Sequence, residues 1–121
     1  MIKANELRIG NKVDYYGNIV TINSINDTDV GFSDYIPIDY PLFDDINPVP
    51  ITEDWLVRFG FEDDGPEWYW LNANDKLTSI GYSYNIKRQV IDFCEIEITI
   101  KYIHQLQNLY FALTGEELSY D

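Results

Sequence analysis

The feature that most constrains this chain is a change of hydrophobic period near residue 100. From Glu95 to Ile100 the pattern alternates strictly, with Ile96, Ile98 and Ile100 on one face and Glu95, Glu97 and Thr99 on the other. A period of two describes a half-buried strand, one face on a core and the other in water, as in an antiparallel sheet. From about Tyr102 to Thr114 the period becomes helical. Ile103, Leu106, Tyr110 and Leu113 fall at i, i+3, i+7 and i+10, and Leu109 and Ala112 widen the stripe. Lys101, His104, Gln105, Gln107 and Asn108 make up the polar side, and Gly115 is the expected stop. A strand followed directly by an amphipathic helix points to an α+β fold with the helix packed on the sheet.

The rest of the chain supplies further strands. Lys12 to Tyr16 is apolar and aromatic, Gly17-Asn18 marks a two-residue turn, and Ile19 to Ile25 follows. In that strand Ile19, Thr21, Asn23 and Ile25 share one side, and Val20, Ile22 and Ser24 the other. Asn26 to Asp29 is the next turn, with short strands at Val30-Gly31-Phe32 and Tyr35-Ile36. With its Gly-turn entry at Leu7 to Val13, this opening has the character of an SH3-like meander. Pro37, Pro41, Pro48 and Pro50 exclude a central strand or a helix over 37–50 and predict an extended loop packed through Tyr40, Leu42 and Phe43.

Thr52 reads as a helix N-cap, with Glu53 and Asp54 in the first turn. Trp55, Leu56 and Phe59 form one apolar face, and Gly60 closes this short central helix. Further strands are expected at Glu67 to Leu71, where Trp68 and Trp70 alternate against Glu67, Tyr69 and Leu71, then at Leu77 to Tyr84 and Ile86 to Phe93. Asn72 to Asp75 is a turn between them. The 121 residues, 45% of them apolar and 16% aromatic, are enough to bury a core within one domain, 1–121.

Charge is the second constraint. The net charge is −13, and 13 acids with the single base Arg58 fall between residues 27 and 75. The flanking segments are nearly neutral. Phosphates repel carboxylates, so direct binding to nucleic acid or to an anionic membrane is not expected. One reading of the acidic stretch is a solvated face that keeps an aromatic protein soluble. The other is a docking surface for a basic partner, since a dense row of carboxylates can imitate a nucleic-acid backbone. The candidate contact residues are Asp44, Asp45, Glu62, Asp63, Asp64 and Glu67, with Trp68 and Trp70 as aromatic anchors.

Catalytic chemistry leaves little trace. There is one cysteine, Cys94, and one histidine, His104. A disulfide framework and a multi-cysteine zinc site are excluded, Cys94 reads as a buried structural thiol, and His104 reads as exposed and inert. Asp27 to Gly31 fails as a calcium loop because the fifth and sixth positions are Gly31 and Phe32. No Gly-rich phosphate loop or nucleophile elbow is present, and Lys87-Arg88 is too small for a basic patch. No cofactor and no catalytic residue are expected. The opening residues lack an apolar signal region, and no apolar run approaches the ~20 residues of a membrane span, which together suggest a bacterial cytoplasm.

Three segments carry a resemblance: Lys3-Ala4-Asn5-Glu6-Leu7-Arg8-Ile9-Gly10-Asn11, Pro50-Ile51-Thr52-Glu53-Asp54-Trp55-Leu56 with Phe59-Gly60-Phe61, and the run from His104 to Leu118. They resemble a family of small uncharacterised proteins of Bacteroidota and of their phages and mobile elements. The resemblance implies a genomic setting and no activity. Small acidic proteins from such a setting often inhibit host defence. The expectation is therefore a non-enzymatic modulator, anti-CRISPR-like, that engages the basic surface of a CRISPR effector or another nuclease. The alternatives are a self-associating structural protein of a phage or mobile element and, last, a carboxylate-based hydrolase.

Overall fold

The computed structural model describes residues 2, 4–33, 41–63, 68–73, 78–83, 90–93 and 96–118. Among these residues the fold is α+β, with two antiparallel sheets and two α-helices. Two compact units can be distinguished: Met1–Pro50 with Tyr102–Leu109, and Ile51–Lys101 with Tyr110–Asp121.

In the first unit, β1 (Lys12–Tyr15), β2 (Asn18–Ile25), β3 (Val30–Phe32) and β4 (Ile46–Asn47) form a sheet in the order β3-β2-β1-β4. The expected N-terminal meander is β1-β2-β3. The turn between the first two strands is Tyr16-Gly17, because Tyr15 pairs with Asn18. Both turn residues take positive φ, 49° and 88°, as a type I′ turn demands. The expected Gly17-Asn18 turn is thus one residue late.

Strand β2 also departs from simple alternation. Val20 and Ile22 are buried as expected, and Ile19 is exposed. The pairs Ile22↔Phe32 and Ser24↔Gly31 then leave Asn23 as an extra residue, a β-bulge. The insertion flips the parity, so Ile25, opposite buried Val30, packs on the core instead of sharing the exposed face of Ile19.

Residues 41–50 are more ordered than an extended loop. Phe43–Asp45 makes a 3-10 turn, and β4 pairs with β1 as an edge strand, the one sheet position that neighbouring prolines tolerate. Ile46 is fully buried in the core with Leu7, Val13, Val20 and Phe32, and Phe43 packs against it. Leu42, expected to pack, is 49% exposed. Tyr35-Ile36 and Tyr40 lie outside the described residues.

The second unit holds α1 (Glu53–Arg58) and a five-stranded antiparallel sheet. Its strands, in sequence and spatial order, are β5 (Glu62–Asp63), β6 (Trp68–Ala73), β7 (Thr78–Ser83), β8 (Val90–Phe93) and β9 (Ile96–Thr99). Strand β6 continues through Asn72 and Ala73, where a turn was expected. Thr52 caps α1, its hydroxyl accepting from the Trp55 N–H at 3.3 Å. At the other end Gly60 takes φ 95°, and the Gly60 and Phe61 amides donate to Val57 and Leu56. That is a full Schellman closure.

Helix α2 (Ile103–Thr114) buries Ile103, Leu106 and Tyr110, as its stripe predicts, and leaves Ala112 exposed and Leu109 half-buried. Its polar side is not a solvent side. His104 and Gln107 are each only 2% exposed. Gln107 binds the entry to β1: its Nε2 donates to Gly10 O at 3.1 Å and its Oε1 accepts from the Lys12 N–H at 2.8 Å. Asn108 Oδ1 accepts from buried Asn11 and from Arg8, and its Nδ2 donates to Glu6 O. Two of the segments that carry the family resemblance are thereby stitched to each other. No described helix is long and apolar enough to cross a membrane.

Candidate partner-binding surface

The expected contact residues are divided between the two units. Asp44 and Asp45 belong to the first unit, and Glu62, Asp63, Trp68 and Trp70 to the second. Asp64 and Glu67 lie outside the described residues, as do Cys94 and Lys87-Arg88.

Asp45 is engaged within its own turn. Its Oδ2 accepts from the Leu42 N–H at 3.0 Å and its Oδ1 from the Tyr16 hydroxyl at 2.8 Å. The backbone bond first, and the hydroxyl second, hold the carboxyl below its usual range. The same hydrogen bond pushes the Tyr16 hydroxyl up. Asp45 therefore pins an exposed tyrosine of unusual backbone conformation, while its neighbour Asp44 is exposed.

The second unit offers a more coherent arrangement, set by strand register. Glu62 pairs with Trp70, Trp70 with Gly81, Gly81 with Asp92, and Asp92 with Glu97. Directly paired residues share a face, so these five form one row across all five strands. With strands about 4.8 Å apart the row spans about 19 Å. Trp68, two positions from Trp70, belongs to the same face in the next row, beside Ser83, Val90 and Thr99. The opposite face collects Tyr69, Leu71, Ile80, Ile91, Ile96 and Ile98.

Burial at the two ends of the sheet tells the faces apart. Glu62 and Thr99, on the tryptophan face, are exposed. Phe61 and Ile100, which continue the opposite parity, are 3% and 6% exposed. Exposed Thr99 and buried Ile100 fall as the alternation of Glu95 to Ile100 predicts. In the register, Trp68 and Trp70 keep the parity of exposed Glu62 and Thr99, as do Asp92 and Glu97. Asp63, named with them from the sequence, pairs with Tyr69 in the register.

Two residues of this row, Asp92 and Glu97, escaped the sequence reading because they lie outside the acidic stretch. The alternation around Glu97 was the available signal, and only the register carries it to Trp70. Asp92 and Glu97 are directly paired in the register. Among the described residues no three His, Cys, Asp or Glu side chains gather as metal ligands. Comparison of the chain with protein-family models, curated proteins and solved structures finds no match.

Proposed function

We propose that this chain is a non-enzymatic binding protein that docks a basic protein surface on the outer face of its second sheet. The observation that carries this reading is the row Glu62–Trp70–Gly81–Asp92–Glu97, with Trp68 beside it. Large aromatics on a sheet face that also bears three acids suit arginine and lysine side chains, which stack on indole rings and pair with carboxylates. A net charge of −13 would speed the encounter.

The partner class that fits is a nucleic-acid-handling protein, whose phosphate-binding channel is basic and long. A CRISPR effector or other nuclease of a bacterial host is the specific proposal, in keeping with the resemblance to small proteins of phages and mobile elements. The test begins with recovery of the partner from host extract on the tagged chain, followed by affinity measurements on the purified pair. Affinity should fall steeply with salt, and Glu62→Lys with Glu97→Lys should weaken it by about tenfold or more, whereas Asp44→Lys should not. Equal binding by wild type and the double variant would refute the reading.

A further inference from the structure

The partner-binding reading leaves His104 without a role. The residue sits in the first turn of α2, 2% exposed, and its two ring nitrogens are buried without a hydrogen-bond partner. The ring lies nearly parallel to that of Tyr102, 13° between planes and 6.1 Å between centroids. A neutral imidazole in such a place leaves one donor and one acceptor unmade. An imidazolium is far worse placed. It carries two N–H donors and a full charge, with no acceptor in reach of either nitrogen.

The surroundings set the direction of the response to acid. The first turn of a twelve-residue helix is the positive end of its macrodipole, which opposes a cation there. Among the described residues, Glu6, from the 3-10 turn Ala4–Glu6, is the charge that favours an imidazolium, and burial outweighs it. The other side chains around the adjoining cavity are Ile2, Pro48, Tyr102 and Gln105, of which Tyr102 is the titratable one.

The turn that carries His104 is also a part of α2 that can open by itself. The Ile103 N–H donates to Val49 O at 2.8 Å, and the Leu106 N–H to Tyr102 O at 3.1 Å. Gln105 Oε1 accepts from the Tyr102 N–H at 3.2 Å. Just beyond this turn, the side-chain amides of Gln107 and Asn108 are fastened to residues 6–12. An opening that begins at Tyr102 meets a stop at Gln107.

We propose that His104 makes the start of α2 an acid-sensitive latch: a proton taken up on the imidazole releases residues 102–105 from residues 48–50, turns the ring out to water, and leaves the helix docked from Gln107 onward. Opening takes up one proton, so it becomes more favourable as pH falls below the ordinary histidine value of 6.5, until the closed form is itself protonated.

The test is native-state amide exchange on the full-length chain, expressed as protection relative to an unstructured chain at the same pH. Between pH 7 and pH 5 the Ile103 and Leu106 amides should lose about tenfold in protection. The reference amides are Gly10, Lys12 and Ile22, bonded to Ile22 O, Gln107 Oε1 and Asn11 O. At pH 5 Ile103 and Leu106 should be protected at least about tenfold less than these, and should barely respond to low urea, because a local opening exposes little surface. Both readings need only the wild-type chain. His104→Phe, which keeps a ring beside Tyr102 and removes the proton, should abolish the acid loss. The latch is overturned if Ile103 and Leu106 keep their protection at pH 5, or if they match the reference amides in protection and urea response. It is equally overturned if folded His104→Phe loses protection with acid as the wild type does.

Discussion

Gln107 shows how much a single polar side chain holds in the first unit. Its amide satisfies a carbonyl at Gly10 and an N–H at Lys12, and it also lies within reach of Asn11 Nδ2 at 3.5 Å. Asn11 is fully buried, so its amide has no recourse to water. Replacing Gln107 by Leu keeps the bulk and removes every partner at once. The expected loss is about 2–4 kcal/mol in urea unfolding, well beyond a surface substitution. A loss within about 0.5 kcal/mol would mean that these groups find water instead. His104 sets a second residue-scale expectation. Burial lowers its pKa from the ordinary 6.5, with Glu6 a smaller opposing influence. Below 6.5 the unfolded chain takes up a proton that the folded chain resists, so stability falls as pH drops from 6.5 toward the folded value. A His104→Gln variant should lose that part of the pH slope, read from unfolding midpoints between pH 7 and pH 5. Neither residue announced its burial in the sequence. Both lie on the polar side of the helical wheel, and periodicity reports the polarity of a face without reporting whether another polar segment covers it.

At the scale of elements, α1 is the most legible piece. Six residues are too few to be helical by propensity alone, so its ends and its buried face must specify it. Thr52, Gly60 and the trio Trp55, Leu56 and Phe59 could all be named from the sequence, and each takes its expected place. Thr52→Ala should cost about 1 kcal/mol through loss of the cap, and Gly60→Ala about 1–2 kcal/mol, because φ 95° strains any residue with a Cβ. Chemical denaturation of the two variants checks both values, and a neutral Gly60→Ala would contradict the Schellman closure. Strand β2 was half legible for a physical reason. Alternation places Val20 and Ile22 correctly, but a bulge has no compositional mark of its own. The clue lies on the partner strand. A Cβ built at Gly31 would collide with the Ser24 hydroxyl and come within 2.8 Å of Asn23 Oδ1, so the bulged side chains occupy the space that glycine leaves. Short apolar strands elsewhere showed their faces but not their register, and register is what assembles the tryptophan row.

At the scale of the whole molecule, a charge run in sequence does not stay within one compact unit. The acids of residues 27–75 are divided between units: Asp27, Asp29, Asp44 and Asp45 in one, Glu53, Asp54, Glu62 and Asp63 in the other. The register also joins Glu62 to Asp92 and Glu97, from three different strands. No spacing rule reveals that alignment, because antiparallel pairing depends on where each hairpin turns. The net charge of −13 has a separate consequence for the fold. Self-repulsion opposes the compact state, and added salt shortens its range, the Debye length falling to about 8 Å at physiological ionic strength. The thermal midpoint should therefore rise between about 20 mM and about 300 mM sodium chloride, over which screening strengthens several-fold. Binding of a basic partner should change in the opposite direction over the same range, because screening removes attraction across an interface as readily as repulsion within a chain. The two trends together separate causes that either alone would confuse. If affinity falls with salt while the melting temperature rises, the loss belongs to the interface. If both fall together, the acidic residues stabilise the fold through local pairing, and the docking reading of the Trp68–Trp70 face loses its electrostatic basis.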